Sequence, residues 1–190
     1  MKSKFFSMLL VTGSMLFSSV AFAAGMDVPN IKAKQVMSGL ENPWDMAFTS
    51  GGDMFYTEKC KGLSVRLKNG KTHAVYGMSG SKGYASAGKD LFCEGQAGML
   101  GVELDRDFNK NRTLYLYSTS KKYHGSGCKT NFEKCDGNIV MKFKVSKSLK
   151  KVSNRTDIVK DIQYKPFKSN QPFGGPGAHN GGDAFGSDWY

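Results

Sequence analysis

WDMAFTSGGDMFYTEKCKGLSVRLKNGKTHAVY, residues 44–76, decides the fold class. Trp44-Asp45-Met46-Ala47-Phe48 alternates apolar and polar positions, Ser50-Gly51-Gly52-Asp53 supplies turn chemistry, and 54–57 returns as a second short apolar run. A third run, 63–67, precedes Asn69-Gly70, a dipeptide suited to a tight reversal, and 73–76 closes the set. Period-2 alternation broken every few residues by Gly, Asn and Asp predicts four strands in a meander.

The same grammar continues downstream. After a loop rich in Gly and Ser at 77–88 come an apolar run at 99–104, a polar stretch at 105–112 and an aromatic strand at 114–118. A third stretch, 139–145 and 156–162, flanks the basic turn 147–151. A loose echo recurs along the chain, in which an apolar strand led by a small residue meets a polar turn and then an aromatic strand. Ala47-Phe48 leads to Phe55-Tyr56, Val102-Glu103-Leu104 to Leu114-Tyr115-Leu116, and Ala184-Phe185 to Trp189-Tyr190. Repeated four-stranded units of about 40 to 50 residues point to an all-β propeller, of which this chain is expected to hold about three to four blades. Such a ring must close, so a chain of this length leaves open blade faces and is expected to be the N-terminal portion of a longer protein.

The first two dozen residues read as an export signal rather than as part of the domain. Lys2 and Lys4 form a positive start, 5–22 is apolar or small, and Ala21-Phe22-Ala23 offers a cleavage site. Residues 1–23 are therefore expected to be a signal peptide and 24–190 a partial propeller domain, placing the protein in the periplasm or outside the cell. A membrane anchor fits less well, because Thr12, Gly13, Ser14, Ser18 and Ser19 interrupt a run already short for a bilayer. No later segment is apolar enough to span one.

Export also frames the cysteines. Cys60, Cys93, Cys128 and Cys135 are even in number, and an oxidising compartment favours their pairing. Cys128 with Cys135 would close a short polar loop and leave Cys60 with Cys93. The spacings are too wide for the close ligand pairs of a zinc site, and no acidic cluster has calcium-loop spacing, so no metal site is expected from these residues. The net charge is +11, from 27 basic and 16 acidic residues. The basic residues are dispersed through turns and strand edges, which argues for a solvated surface and against a nucleic-acid interface.

Three segments, in order, resemble the glucose/sorbosone dehydrogenase family. Gly39-Leu40-Glu41-Asn42-Pro43-Trp44-Asp45-Met46-Ala47-Phe48, with Tyr56-Thr57-Glu58 behind it, is similar to the family's opening hairpin. Gly95-Gln96-Ala97-Gly98-Met99-Leu100-Gly101-Val102, followed by Asp107-Phe108 and Leu114-Tyr115-Leu116, resembles its Gly-Gln-x-Gly-Leu-Leu motif. His179-Asn180-Gly181-Gly182-Asp183-Ala184-Phe185-Gly186 resembles the segment that presents the catalytic histidine.

This resemblance implies a six-bladed propeller that oxidises an aldose at its hemiacetal carbon with pyrroloquinoline quinone (PQQ), passes electrons to an external acceptor, and in full-length members also binds Ca2+. His179 takes the role of general base, since imidazole titrates near neutral pH. Gln96 takes that of a sugar ligand, its amide both donating and accepting. Ala178 stands where family members often carry an acid, and Asp183 where an Arg often follows the glycines. The cofactor's main clamp belongs to later blades of the family, so this chain alone is expected to be inactive. A competing reading makes it a secreted, non-enzymatic propeller fragment that binds anionic glycans or a protein partner.

Overall fold

A computed structural model of the chain describes residues 31–123 and 137–164. The expected signal peptide, the Cys128–Cys135 pairing and His179 lie outside them. The chain divides into two compact units, Met1–Val36 and Met37–Tyr190. The described part of the first, 31–36, forms no strand or helix, and the architecture below belongs to the second.

The first sheet is the meander read from residues 44–76. Strands β1 (Pro43–Phe48), β2 (Met54–Glu58), β3 (Gly62–Arg66) and β4 (Thr72–Gly77) pair antiparallel with their chain neighbours. A two-residue strand, β5 (Ser86–Ala87), joins β4 in parallel out of the Gly/Ser-rich loop.

The second sheet orders β6 (Met99–Leu104), β7 (Thr113–Ser120), β8 (Gly137–Val145) and β9 (Val152–Gln163), all antiparallel. The stretch expected as a third set is thus the outer half of the second. β8 and β9 hydrogen-bond onto β7, and strands so placed leave no separate layer. Within the polar segment a single helical turn, α1 (Phe108–Asn111), also escaped the pattern, because four residues are too few to show a helical period. α1 is closed by Arg112, whose φ of 56° is left-handed and whose guanidinium lies 4.6 Å from the Phe108 ring centroid.

The sequence echo has a structural basis. Ala47 pairs with Phe55, Val102 with Leu116 and Leu104 with Leu114, so each sheet opens with the same inner hairpin. In β8, Ile139, Met141, Phe143 and Val145 are buried while Lys142 and Lys144 are exposed, as a pleat with one wet face requires.

The core fills the space between the sheets. Phe55 meets Phe108 edge-on at 6.1 Å and Tyr76 meets Phe143 at 4.8 Å, with Leu63, Val65, Leu114, Leu116 and Met141 around them. Polar contacts fix the register between the sheets. The Thr57 hydroxyl donates to the Leu100 carbonyl at 2.5 Å and accepts from the Asp45 amide at 3.2 Å. The Asp45 carboxylate accepts from the Val102 amide at 2.8 Å. Away from this interface, Trp44, Met46 and Phe48 of β1 and Ile158 and Val159 of β9 are exposed.

Thr57→Val keeps the volume but deletes the buried donor to Leu100 and the acceptor for Asp45. The expected cost is about 1–3 kcal/mol, read as a lower urea midpoint at unchanged m-value.

Candidate functional site

Gln96 stands at the tip of a two-residue reversal. Glu94 and Ala97 exchange backbone hydrogen bonds of 3.2 and 2.8 Å, leaving Gly95 and Gln96 as the central pair. Gly95 has φ of 56° whereas Gln96 is not among the positive-φ residues, a combination that calls for glycine in the first central place. The Gln96 side chain is exposed.

Several anchors hold this turn to both sheets. The Lys59 ammonium donates to the Gly95 carbonyl, and the Lys59 carbonyl accepts from the Met99 amide at 2.9 Å. Gly98 lies so close to that strand end that a Cβ there would sit 2.3 Å from the Lys59 oxygen. Beside it, a disulfide joins Cys60 to Cys93 across a Cα separation of 5.2 Å, realising the first half of the expected pairing. Closing 33 residues of chain, it restricts the unfolded state by about 3–4 kcal/mol in the chain-entropy account. From the second sheet, the Thr119 hydroxyl donates to the Phe92 carbonyl at 2.6 Å, and its amide donates to Gly98 at 3.1 Å. The buried Tyr164 donates to Glu94 at 3.1 Å and packs its ring 5.5 Å from Phe92.

A charged cluster pins the root of the same connection. Arg155 of β9 forks onto Asp90, with both nitrogen–oxygen distances 2.7 Å, and its Nε donates to Asp157 at 2.6 Å. The guanidinium also reaches the Tyr76 hydroxyl at 3.3 Å, while Ser120 donates to Asp90 at 2.6 Å. Burial by itself would raise the Asp90 carboxyl, but the hydrogen bonds from Arg155 and Ser120, with the charge of Arg155, outweigh it and hold it at about 2. Burial likewise opposes ionisation of Asp157, and Arg155 and Tyr123 outweigh it in the same direction. Tyr76, desolvated first and only partly relieved by Arg155, is pushed up.

Gln96, Lys59, the disulfide and the C-terminal ends of β7 and β9 all project from one end of the two sheets. That shared end follows from the meander, in which every second connection returns to the same side. His73, by contrast, belongs to β4 with its Nε2 buried and without a hydrogen-bond partner, which places it in the fold rather than at this end. Sequence reasoning found Gln96 and the cysteines but not Arg155, Asp90 or Tyr164. Arg155 and Asp90 are 65 residues apart, and no spacing rule connects them.

The sequence matches the glucose/sorbosone dehydrogenase family over residues 40–179, most of the chain. The chain belongs to that family. An uncharacterized protein of Synechocystis is 34% identical over 90 residues, which are 46% of this chain and 21% of that one. Among solved structures, a putative oxidoreductase (glucose dehydrogenase) of Thermus thermophilus superposes with a TM-score of 0.57 at 21% identity, covering 79% of this chain and 36% of the other. The PQQ-bound aldose sugar dehydrogenase of Streptomyces coelicolor gives 0.51 at 18% identity, with 69% and 34% covered. This chain therefore spans about a third of either structure and about a fifth of the Synechocystis protein. The likeness establishes the fold: this dehydrogenase-family chain is all-β, and its five-stranded and four-stranded sheets resemble part of a β-propeller.

Among the described residues, no three His, Cys, Asp or Glu side chains gather to hold a metal ion. No described helix is long and apolar enough to cross a membrane. Lys59 is committed to a carbonyl and Arg155 to two carboxylates. These residues alone do not make a clamp for a polyanionic quinone or a seat for Ca2+.

Because Asp90 ionises at about 2 in the folded protein against an ordinary 3.8, its contribution to stability is complete above about pH 4 and is lost as pH falls toward 2. Urea midpoints measured from pH 6 to 2 should fall in step, and Asp90→Asn should start lower and fall less. Gly98→Ala should cost about 2–4 kcal/mol and speed proteolysis near residue 96, since the added carbon meets backbone that cannot turn aside.

Proposed function

We propose that this protein carries the substrate side of a PQQ-dependent aldose dehydrogenase, with Gln96 as a sugar ligand and His179 as the general base. The observation that carries the reading is the presentation of Gln96: an exposed amide at the tip of a turn that a disulfide, Lys59, Gly98 and Tyr164 hold against both sheets. A side chain that orients a substrate loses less affinity to ordering when its backbone is already fixed. The family match extends to residue 179, the position of the second residue this reading uses.

In this reading Gln96 donates to one sugar hydroxyl oxygen or accepts from its proton. The neutral His179 imidazole accepts the proton of the anomeric hydroxyl, and that oxygen becomes the carbonyl of a lactone as the C1–H electron pair departs. PQQ, when bound, supplies the acceptor for that pair, and an external acceptor then reoxidises it. Ca2+ belongs to the same assembly. Neither group is assigned ligands among the described residues. The protein acts in the periplasm or outside the cell, in keeping with its disulfide and its signal-like residues 1–23.

The test is sugar-dependent dye reduction by the full product of the gene, reconstituted with PQQ and Ca2+. His179→Ala should lower kcat by about a hundredfold or more, and Gln96→Ala should raise KM about tenfold with a smaller change in kcat. Unchanged turnover in His179→Ala would remove the histidine from the reaction.

A further inference from the structure

We infer that Lys59 is the positioning residue for Gln96, its ammonium selecting which way the peptide between Gly95 and Gln96 faces and so how the Gln96 amide is presented. This deepens the dehydrogenase reading and rests on it for the sugar that Gln96 meets, while the positioning itself rests on the contacts of Lys59.

Lys59 reaches the turn from a fixed base. It follows β2 directly, its amide donates to the Asn42 carbonyl at 3.0 Å, and its carbonyl accepts from the Met99 amide at 2.9 Å. The next residue, Cys60, is bonded to Cys93. From there the half-buried side chain crosses the turn. A Cβ built on Gly98 would lie 2.6 Å from Lys59 Cγ, so the stem runs against the Gly98 backbone, and the ammonium at its end donates to the Gly95 carbonyl. One side chain thus meets the turn on both sides of Gln96.

The carbonyl it holds sets more than a distance. A peptide unit is planar and trans, so the Gly95 oxygen and the Gln96 N–H point in opposite directions from one rigid plate. Glycine at 95, with φ of 56°, accepts two tight reversals that differ by a half-turn of that plate. In the observed one the oxygen faces Lys59. In the other the Gln96 N–H would face it and Gln96 would take a positive φ, whereas Gln96 is not among the positive-φ residues. A cation attracts a carbonyl oxygen and repels an N–H, so the ammonium both stabilises the observed plate and opposes its reversal. The rotamers open to a side chain depend on its φ, and the choice of plate therefore passes to the amide that would meet the sugar.

No neighbouring acid diverts this charge. Glu58, next to Lys59 in the chain, is taken by Lys61 at 3.4 Å and by the Glu41 amide at 2.7 Å, and among the described residues Lys59 forms no ion pair. The disulfide and Gly98 fix where the turn sits. Lys59 fixes how its central peptide faces.

The test has two arms. The first is dye reduction by the full product of the gene with PQQ and Ca2+, using glucose or another aldose that the parent oxidises. Lys59→Met keeps a stem against Gly98 and removes the ammonium; it should raise KM about fivefold with kcat within about twofold, and Lys59→Arg should restore most of the loss. Added to Gln96→Ala, Lys59→Met should raise KM no further, because it acts through the side chain already removed. The second arm is amide NMR of the isotope-labelled protein without cofactor or sugar. The Gln96 amide should hold one state in the parent and exchange between two in Lys59→Met, broadened by motion on the microsecond-to-millisecond scale. A KM unmoved by Lys59→Met while Gln96→Ala raises it, an additive effect in the double variant, or a single unshifted Gln96 amide in Lys59→Met overturns the inference. Two amide states in Lys59→Met beside a KM unmoved by Gln96→Ala would keep the positioning and reject Gln96 as the sugar ligand.

Discussion

A guanidinium withdrawn from water must be neutralised where it lies, and the way Arg155 meets that demand organises one whole end of this protein. Its fork takes Asp90, its Nε takes Asp157, and its remaining reach finds the Tyr76 hydroxyl. Asp90 begins the segment that ends in Gln96, Tyr76 closes the first sheet, and Arg155 and Asp157 belong to the last strand of the second. One desolvated ion cluster thus couples both sheets to the segment between them. Its value lies less in net energy, since desolvation cancels much of the attraction, than in the cost of any arrangement that separates the partners.

That coupling explains how an irregular segment can present a side chain with little freedom. Residues 78–98 contribute only the two residues of β5 to a sheet, so their backbone groups need other partners. Lys59, Thr119 and the Lys121 amide supply several of them, and the Cys60–Cys93 disulfide adds a covalent tie. The turn at Gln96 is exposed at its tip and held at its base. This is the arrangement expected when a loop, rather than a strand, meets a ligand.

The two ends of the sheets differ in character. At the β1–β2 turn and α1, Asp105, Asn111, Tyr115 and Lys144 satisfy one another and the backbone, as at a structural corner. At the Gln96 end, Gln96, Lys121 and Lys160 are exposed.

Alternation in residues 44–76 and the echo of its hairpin at 102–116 were enough to determine an all-β chain of repeated meanders, because strand period and turn chemistry are local properties of sequence. The segment Gly95 to Val102 likewise marked Gln96, and an even set of cysteines marked Cys60 and Cys93. Which strands shared a sheet was not local. β8 and β9 read as a separate set until their hydrogen bonds to β7 placed them, and α1 was too short to show a period. Nor could sequence bring Arg155 to Asp90, or Lys121 and Lys160 to the end that carries Gln96. Those meetings depend on contacts between residues tens of positions apart, and only packing two sheets face to face, with every second connection returning to the same side, puts such residues within reach of one another.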